Sequence, residues 1–108
     1  MNISNIREST EEFHLLVTTG RSQTATMTLV SDAATSDELN THPESDQVVL
    51  ILDGEVVAEI GEERRTLHEN DCVTIPAGTK HRFVNEGKKT VFAFTVYGPP
   101  AYPTDDPA

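Results

Sequence analysis

The sequence predicts an all-β protein, built as an antiparallel sandwich or barrel. Some eight short runs of β-favouring residues are separated by turn residues such as Asp53-Gly54. No segment shows the period of about 3.6 residues that marks an amphipathic helix. No unit recurs at a fixed spacing, which argues against a solenoid or a propeller. At 108 residues, the chain is long enough for one hydrophobic core.

The strand pattern is clearest in residues 23–30. There Ala25, Met27 and Leu29 fall on one face and threonines on the other, as expected of a half-buried strand. The other predicted strands are residues 13–18, 47–52, 55–60, 63–68, 72–75, 81–84 and 90–97.

The predicted organisation is one domain with a short extension at each end. Residues 1–12 are polar and form an N-terminal arm, and residues 13–98 form the domain. Residues 99–108 form an extended, proline-rich tail that cannot continue a sheet interior.

Composition narrows the possible partners and the location. The net charge of −10 repels both nucleic acid and anionic membrane surfaces, so neither is expected as a partner. No apolar run reaches the length of a membrane span, and the N-terminus lacks a basic region followed by an apolar stretch. The default prediction is therefore a cytoplasmic protein.

The cysteine count adds a further exclusion. Cys72 is the only cysteine, which excludes an internal disulfide framework and a four-cysteine metal site. Because it begins a short apolar run, Cys72 is predicted to be a small buried hydrophobe and not a nucleophile.

Two histidine-containing segments, residues 40–47 and 76–85, are the best candidates for a functional site. His42 and His81 each stand at the mouth of a predicted strand. Neighbouring strands lie about 4.8 Å apart, so side chains on one face at these places can converge on a single pocket. The turn residues Gly54, Pro76 and Gly78 are predicted to be structural, and Asn85 to tie down a neighbouring loop.

The two segments resemble the two motifs of the cupins, small β-barrels of the jelly-roll type. The first cupin motif is His-x-His, three or four residues, Glu, six residues and Gly. The second is Gly, five residues, Pro-x-Gly, two residues, His, three residues and Asn. The resemblance covers roughly residues 36–98. The matching positions of the first motif are Asn40, His42, Gln47 and Gly54, and those of the second are Asn70, Pro76, Gly78, His81 and Asn85.

In cupins, four motif positions hold a divalent metal, so the resemblance implies a site formed by Asn40, His42, Gln47 and His81. Two of these residues are amides where the motif has His and Glu, so no ligand carries a negative charge. Zinc or nickel is therefore favoured over iron or manganese, and a site without metal is the alternative. A second register, which uses Glu44, restores a carboxylate but leaves the spacing to Gln47 one residue short.

Residues 90–97 are apolar on both faces, so their pattern leaves open which face lines the pocket. The prediction chooses the face that includes Thr95 and Tyr97. An apolar outer face suggests that a second subunit covers it, and small cupins commonly pair, so a homodimer is expected. The full predicted lining is Met27, Val49, Ile51, Phe83, Thr95 and Tyr97.

Two functions compete. The first is binding or sensing of a small polar molecule, and it is preferred because barrel mouths are natural ligand sites and two motif positions have lost their charge. The second is a metal-dependent enzyme, dioxygenase- or isomerase-like, acting on a small polar substrate. Gln47 counts against the enzyme because an amide cannot act as a base. A purely structural domain would not explain polar residues in a pocket.

Overall fold

The computed structural model describes residues 1–8 and 11–103. Residues 9–10 of the predicted arm and residues 104–108 of the predicted tail lie outside the described residues. Within the described ranges the chain forms a short 3₁₀ turn, Ile6–Glu8, followed by eight strands. These are β1 Phe13–Thr18, β2 Gln23–Leu29, β3 Asp46–Asp53, β4 Val56–Ile60, β5 Glu63–Leu67, β6 Cys72–Ile75, β7 His81–Val84 and β8 Val91–Gly98.

The strands form two antiparallel sheets, so the all-β prediction is confirmed. One sheet has the order β1-β2-β8-β3-β6 and the other the order β5-β4-β7. Asp53-Gly54 links β3 to β4 across the two sheets. Gly54 has φ of 81°, and a Cβ there would lie 3.0 Å from the carbonyl oxygen of Thr90, so both the backbone conformation and the space require glycine. In the described part of the chain, no helix is long and apolar enough to span a bilayer.

The hydrophobic core lies between the inner faces of the two sheets. Val49 and Ile51, which were predicted to line a pocket, are fully buried in this core. The core holds Met27, Leu29, Val49, Ile51, Val56, Ala58, Ile75, Phe83, Val91 and Ala93.

Two details of burial differ from the expectation. Cys72 is exposed, so the prediction that it is buried is wrong. It lies opposite Leu50 on β6, an edge strand that pairs only with β3, and points away from the core. Thr26, on the polar face of β2, is fully buried because the neighbouring strands place His14 and Phe94 on either side of it.

The long connection between β2 and β3 runs along the free edge of β7. Asn40 and His81 exchange two backbone hydrogen bonds, of 2.8 and 2.7 Å. Further along, the amide of Thr35 donates to the carbonyl of Phe83 at 2.9 Å, and the amide of Asn85 donates to the carbonyl of Ala33 at 2.8 Å. The connection therefore acts as an irregular fourth strand of the smaller sheet, and it brings the first histidine segment beside the second.

Candidate ligand pocket

A cavity of about 560 Å³ lies at the end of the barrel where the two histidine segments meet. Its walls come from the inner faces of β2, β3, β7 and β8, from the β2–β3 connection and from both ends of the chain. The residues that line it are Glu12, Phe13, Met27, Leu29, Thr35, Ser36, Asn40, His42, Gln47, His81, Phe83, Tyr97 and Tyr102.

Backbone hydrogen bonds bring the two histidines together. The Asn40–His81 bridge fixes the first segment to the start of β7, and the amide of Gly78 donates to the carbonyl of His42 at 2.9 Å. The turn around Gly78 thus connects the second motif to the first. As a result, the imidazole rings of His42 and His81 have their centroids 5.2 Å apart.

His81 is held in one tautomer by the main chain. Its ring is buried, with 6% of the residue exposed, and Nδ1 lies 2.9 Å from the carbonyl oxygen of Thr79. A carbonyl oxygen only accepts, so Nδ1 carries the proton. In the neutral ring, Nε2 then keeps a lone pair that can accept a hydrogen bond or coordinate a metal.

His42 is kept neutral by its surroundings. Burial lowers the pKa of His42 below its ordinary value, and the neighbouring His81 lowers it further because two imidazolium charges would repel. The ring packs against Tyr97 and Tyr102, with centroid distances of 5.2 and 5.3 Å. The pocket therefore contains an uncharged imidazole at neutral pH.

Gln47 has a buried acceptor with no partner. The residue is 2% exposed, and its Nε2 donates to Thr95 Oγ1 at 3.1 Å and to Tyr97 Oη at 3.2 Å. Among the described residues, Oε1 finds no hydrogen-bond partner. Buried carbonyl oxygens are rarely left unpaired, because the loss of hydration is costly. A ligand or a water molecule in the cavity would satisfy this oxygen.

A tyrosine pair closes the side of the pocket next to the C-terminal tail. The rings of Tyr97 and Tyr102 meet edge to face, with centroids 5.4 Å apart. Burial raises the pKa of both phenols above the ordinary value, so both remain protonated. Tyr102 also contacts Phe13, with ring centroids 5.0 Å apart.

The structure places the predicted pocket residues in two groups. Met27, Phe83 and Tyr97 line the cavity, as do the four predicted metal ligands. Thr95 lies behind Gln47 and holds its amide, while Val49 and Ile51 belong to the core described above.

Sequence reasoning missed residues from several parts of the chain. Leu29 could have been found, because it shares a strand face with Met27. Phe13 and Tyr102 come from opposite ends of the domain and carry no local signal. The missed residues are Glu12, Phe13, Leu29, Thr35, Ser36 and Tyr102.

The donor set fits a divalent metal incompletely. The side-chain oxygen of Asn40 already accepts from the amide of Thr41 at 2.9 Å, and Glu44 is exposed and does not line the cavity. What remains is two imidazoles and one amide oxygen. No cluster of three or more His, Cys, Asp or Glu suited to a metal occurs in the described part of the chain. The anionic ligand that usually accompanies imidazole in such sites is missing.

These features define a jelly-roll barrel with a pocket at its mouth, and comparison with known proteins gives the family. Residues 26–97 match the cupin domain model, Cupin_2. The chain therefore belongs to the cupin family, as the spacing of the two motifs suggested.

Comparison with individual proteins gives curated relatives and many structural neighbours. The uncharacterized protein YrkC of Bacillus subtilis is 26% identical over 110 aligned positions, covering 95% of this chain and 58% of YrkC. The chain thus spans less than two thirds of that relative's length. The structure of TT1209 from Thermus thermophilus has a TM-score of 0.82 at 25% identity, covering 92% of this chain and 98% of that one.

Some of the structural neighbours have a named activity. A sugar phosphate isomerase of the cupin superfamily, from Silicibacter pomeroyi, has a TM-score of 0.68 at 24% identity and covers 80% of this chain and 58% of its own. At that identity the likeness shows a shared fold alone.

Proposed function

We propose that this cupin binds a small polar molecule in the cavity between His42, Gln47 and His81. The observation that carries the proposal is the unpartnered Oε1 of Gln47, because a buried acceptor is expected to be satisfied in the working state of the protein. The cavity volume of about 560 Å³ is in the range of small-molecule sites, which are mostly apolar with a few well-placed polar groups.

The hydrogen bonds around Gln47 support a site prepared for binding. Its amide nitrogen is fixed by Thr95 and Tyr97, so its oxygen is held in one orientation before any ligand arrives. Such preorganisation reduces the entropy that binding must overcome. Mutation of Gln47 should therefore change ligand binding more than it changes the fold.

Equilibrium dialysis tests this proposal. Wild-type protein and Gln47→Met are dialysed against the same small-molecule extract of a bacterial culture, and retained compounds are identified by mass spectrometry. We expect the wild type to retain at least one compound that Gln47→Met loses. The control variant is Glu62→Gln, in the exposed turn between β4 and β5, which should retain the same compound. Equal retention profiles for wild type and Gln47→Met would contradict the proposal.

A metal-dependent enzyme of the isomerase or dioxygenase type is the second candidate, and one observation favours it. The backbone bond from His81 Nδ1 to the carbonyl of Thr79 leaves Nε2 free, as in histidines whose orientation is fixed by a partner behind the metal. The missing carboxylate counts against it. For this reason binding of a small polar molecule remains the preferred function.

Calorimetric titration of chelator-treated protein with zinc and nickel tests the second candidate. If it is correct, both His42→Ala and His81→Ala lose the binding heat. Gln47→Glu should bind more tightly than the wild type, because it supplies the missing anion. Absence of binding heat for both ions in the wild type and in Gln47→Glu would exclude this candidate for those ions.

A further inference from the structure

The wall of the pocket formed by Gln47 and His81 presents hydrogen-bond acceptors. Gln47 Oε1 is an acceptor without a partner, and the tautomer of His81 leaves Nε2 as a second acceptor. The amide nitrogen of Gln47 already donates inside the protein, to Thr95 and to Tyr97. A ligand that satisfies this wall must bring hydrogen-bond donors.

The charges around the cavity favour the same kind of ligand. No Arg or Lys occurs among the described residues that line the cavity, whereas Glu12 is one of them. The nearby Arg82 is engaged outside the pocket, where it is hydrogen-bonded to Glu59 and to the carbonyl of Asp37. The whole chain carries a net charge of −10. A phosphate or carboxylate group would find no cation here and would be repelled.

The rest of the lining suits the body of a small amine. Aromatic rings of Phe13, Tyr97 and Tyr102 form the wall beside the tail, and aromatic rings attract cations through their faces. Met27 and Leu29 add an apolar surface on the β2 side. The polar and apolar parts of the pocket therefore lie close enough for one small molecule to contact both.

We propose that the ligand is a small molecule with an ammonium or other N–H donor group, and that molecules bearing phosphate or carboxylate are rejected. This inference depends on the proposed binding function and specifies its ligand class. It also sets this pocket apart from one suited to a sugar phosphate. The amine would donate to Gln47 Oε1 and His81 Nε2, with Glu12 near the positive charge.

Four matched probes test the ligand class. Benzylamine, benzyl alcohol, phenylacetate and benzyl phosphate share a benzyl group and differ in the charge and hydrogen-bonding character of the attached group. Each is titrated into isotope-labelled protein, and NMR shifts of the Gln47 side-chain amide and the His81 ring report binding in the pocket. We expect benzylamine to bind most tightly, followed by benzyl alcohol, with both anions weaker than benzylamine by about tenfold or more.

Two variants separate the contributions of hydrogen bonding and charge. Gln47→Met should weaken benzylamine by about tenfold, because the ammonium loses its acceptor. In this variant the Gln47 amide signal is missing, so the His81 ring is the only reporter of binding. Glu12→Gln should weaken benzylamine by a few-fold and leave benzyl alcohol unchanged. Glu62→Gln makes the same charge change in the turn after β4, and it should leave the affinities for benzylamine and benzyl alcohol unchanged. If Gln47→Met fails to fold, the comparison of Glu12→Gln with its control Glu62→Gln still tests the charge preference.

The outcomes that overturn the inference are distinct from failure of the proposed function. Binding of phenylacetate or benzyl phosphate as tight as that of benzylamine would refute the ligand class while leaving a functional pocket. If none of the four probes moved the Gln47 or His81 signals, the inference would also fail. The dialysis experiment would then decide the binding function independently.

Discussion

At the scale of single residues, the chemistry of the site depends on position 47. A carboxylate there, as in the cupin motif, would supply an anion to a metal, whereas the amide of Gln47 is neutral and is held by Thr95 and Tyr97. A neutral amide at this position favours hydrogen bonding over metal coordination.

The pKa of His42 provides a direct test of the pocket environment. In chelator-treated protein we expect His42 to titrate below the ordinary value of about 6.5, because burial and His81 both disfavour its charged form. NMR titration of the ring protons measures this. In His81→Gln the pKa of His42 should rise only partly toward the ordinary value, because the burial remains. An unshifted His42 in the wild type would contradict the placement of this ring.

Asn85 is predicted to contribute strongly to stability through its side-chain hydrogen bonds. Its Nδ2 donates to the carbonyls of Leu29 and Lys89 at 2.9 and 2.8 Å, and its Oδ1 accepts from the amide of Gly87 at 3.0 Å. It is fully buried, so Asn85→Ala should lower the free energy of unfolding by about 2–3 kcal/mol. Urea denaturation measures the change. Lys88→Ala, on an exposed position of the same turn, should change it by less than about 0.5 kcal/mol. Equal losses of stability in Asn85→Ala and Lys88→Ala would disprove this role of Asn85.

At the residue level, the spacing of the two motifs was the signal that the sequence offered for the site. Gln47 and His81 lie at strand starts, where strand geometry fixes the direction of the side chain. His42 lies in the connection before β3, and backbone hydrogen bonds bring it beside them. Asn85 was expected to tie down a neighbouring loop, and its side chain is hydrogen-bonded to the backbone of Leu29, Gly87 and Lys89. Cys72 was misjudged because exposure of an edge strand depends on which strands neighbour it, and the sequence pattern does not contain that information.

At the scale of elements, the strands were predictable and the pairing of the connections was not. Each strand predicted from alternation and turn residues occurs within two residues of its expected bounds. The β2–β3 connection lies between two predicted strands and was not predicted to be one, yet its backbone pairs with β7 through Asn40 and Thr35. Backbone hydrogen bonds of this kind leave no trace in side-chain periodicity, so only the three-dimensional fold reveals them.

The C-terminal tail is an unexpected element of the pocket, and Gln23 fastens it. Gln23 is fully buried at the start of β2. Its Oε1 accepts from the amides of Ala101 and Tyr102 at 3.1 and 3.0 Å, and its Nε2 donates to the carbonyl of Tyr102 at 2.9 Å. The side chain of Gln23 thus makes the backbone hydrogen bonds that a neighbouring strand would otherwise make with the tail. It places the ring of Tyr102 against His42.

Hydrogen exchange tests this attachment of the tail. In Gln23→Ala the amides of Ala101 and Tyr102 lose their acceptor and should exchange at least about tenfold faster, while the amide of Ala93 in β8 keeps its protection. Thr18→Ala is the matched control, because it removes another partner of the Gln23 side chain but leaves Oε1 in place. Unchanged exchange at Ala101 and Tyr102 in Gln23→Ala would show that the tail is held by other contacts.

At the scale of the whole molecule, the outer face of the five-stranded sheet is the main unexplained surface. Part of this face is covered by the chain itself, because the guanidinium of Arg7 lies 4.7 Å from the ring centre of Phe92 and bonds to Asp53. The remaining apolar side chains are partly exposed and lie on neighbouring strands. They are Val48 and Leu50 of β3 and Phe94 and Val96 of β8.

The expected homodimer would bury this outer face. One substitution on the face can therefore test whether the dimer forms. Phe94 lies between Leu50 and Thr26 on adjacent strands, so Phe94→Lys places a charge in the middle of the face and should convert a dimer into a monomer. Size-exclusion chromatography with light scattering gives the mass, and circular dichroism checks the fold. Thr66→Lys, on an exposed position of the smaller sheet, adds the same charge elsewhere and should remain dimeric. Because each copy carries a net charge of −10, association should strengthen as salt screens the repulsion. A wild-type monomer at micromolar concentration and high salt would refute the dimer.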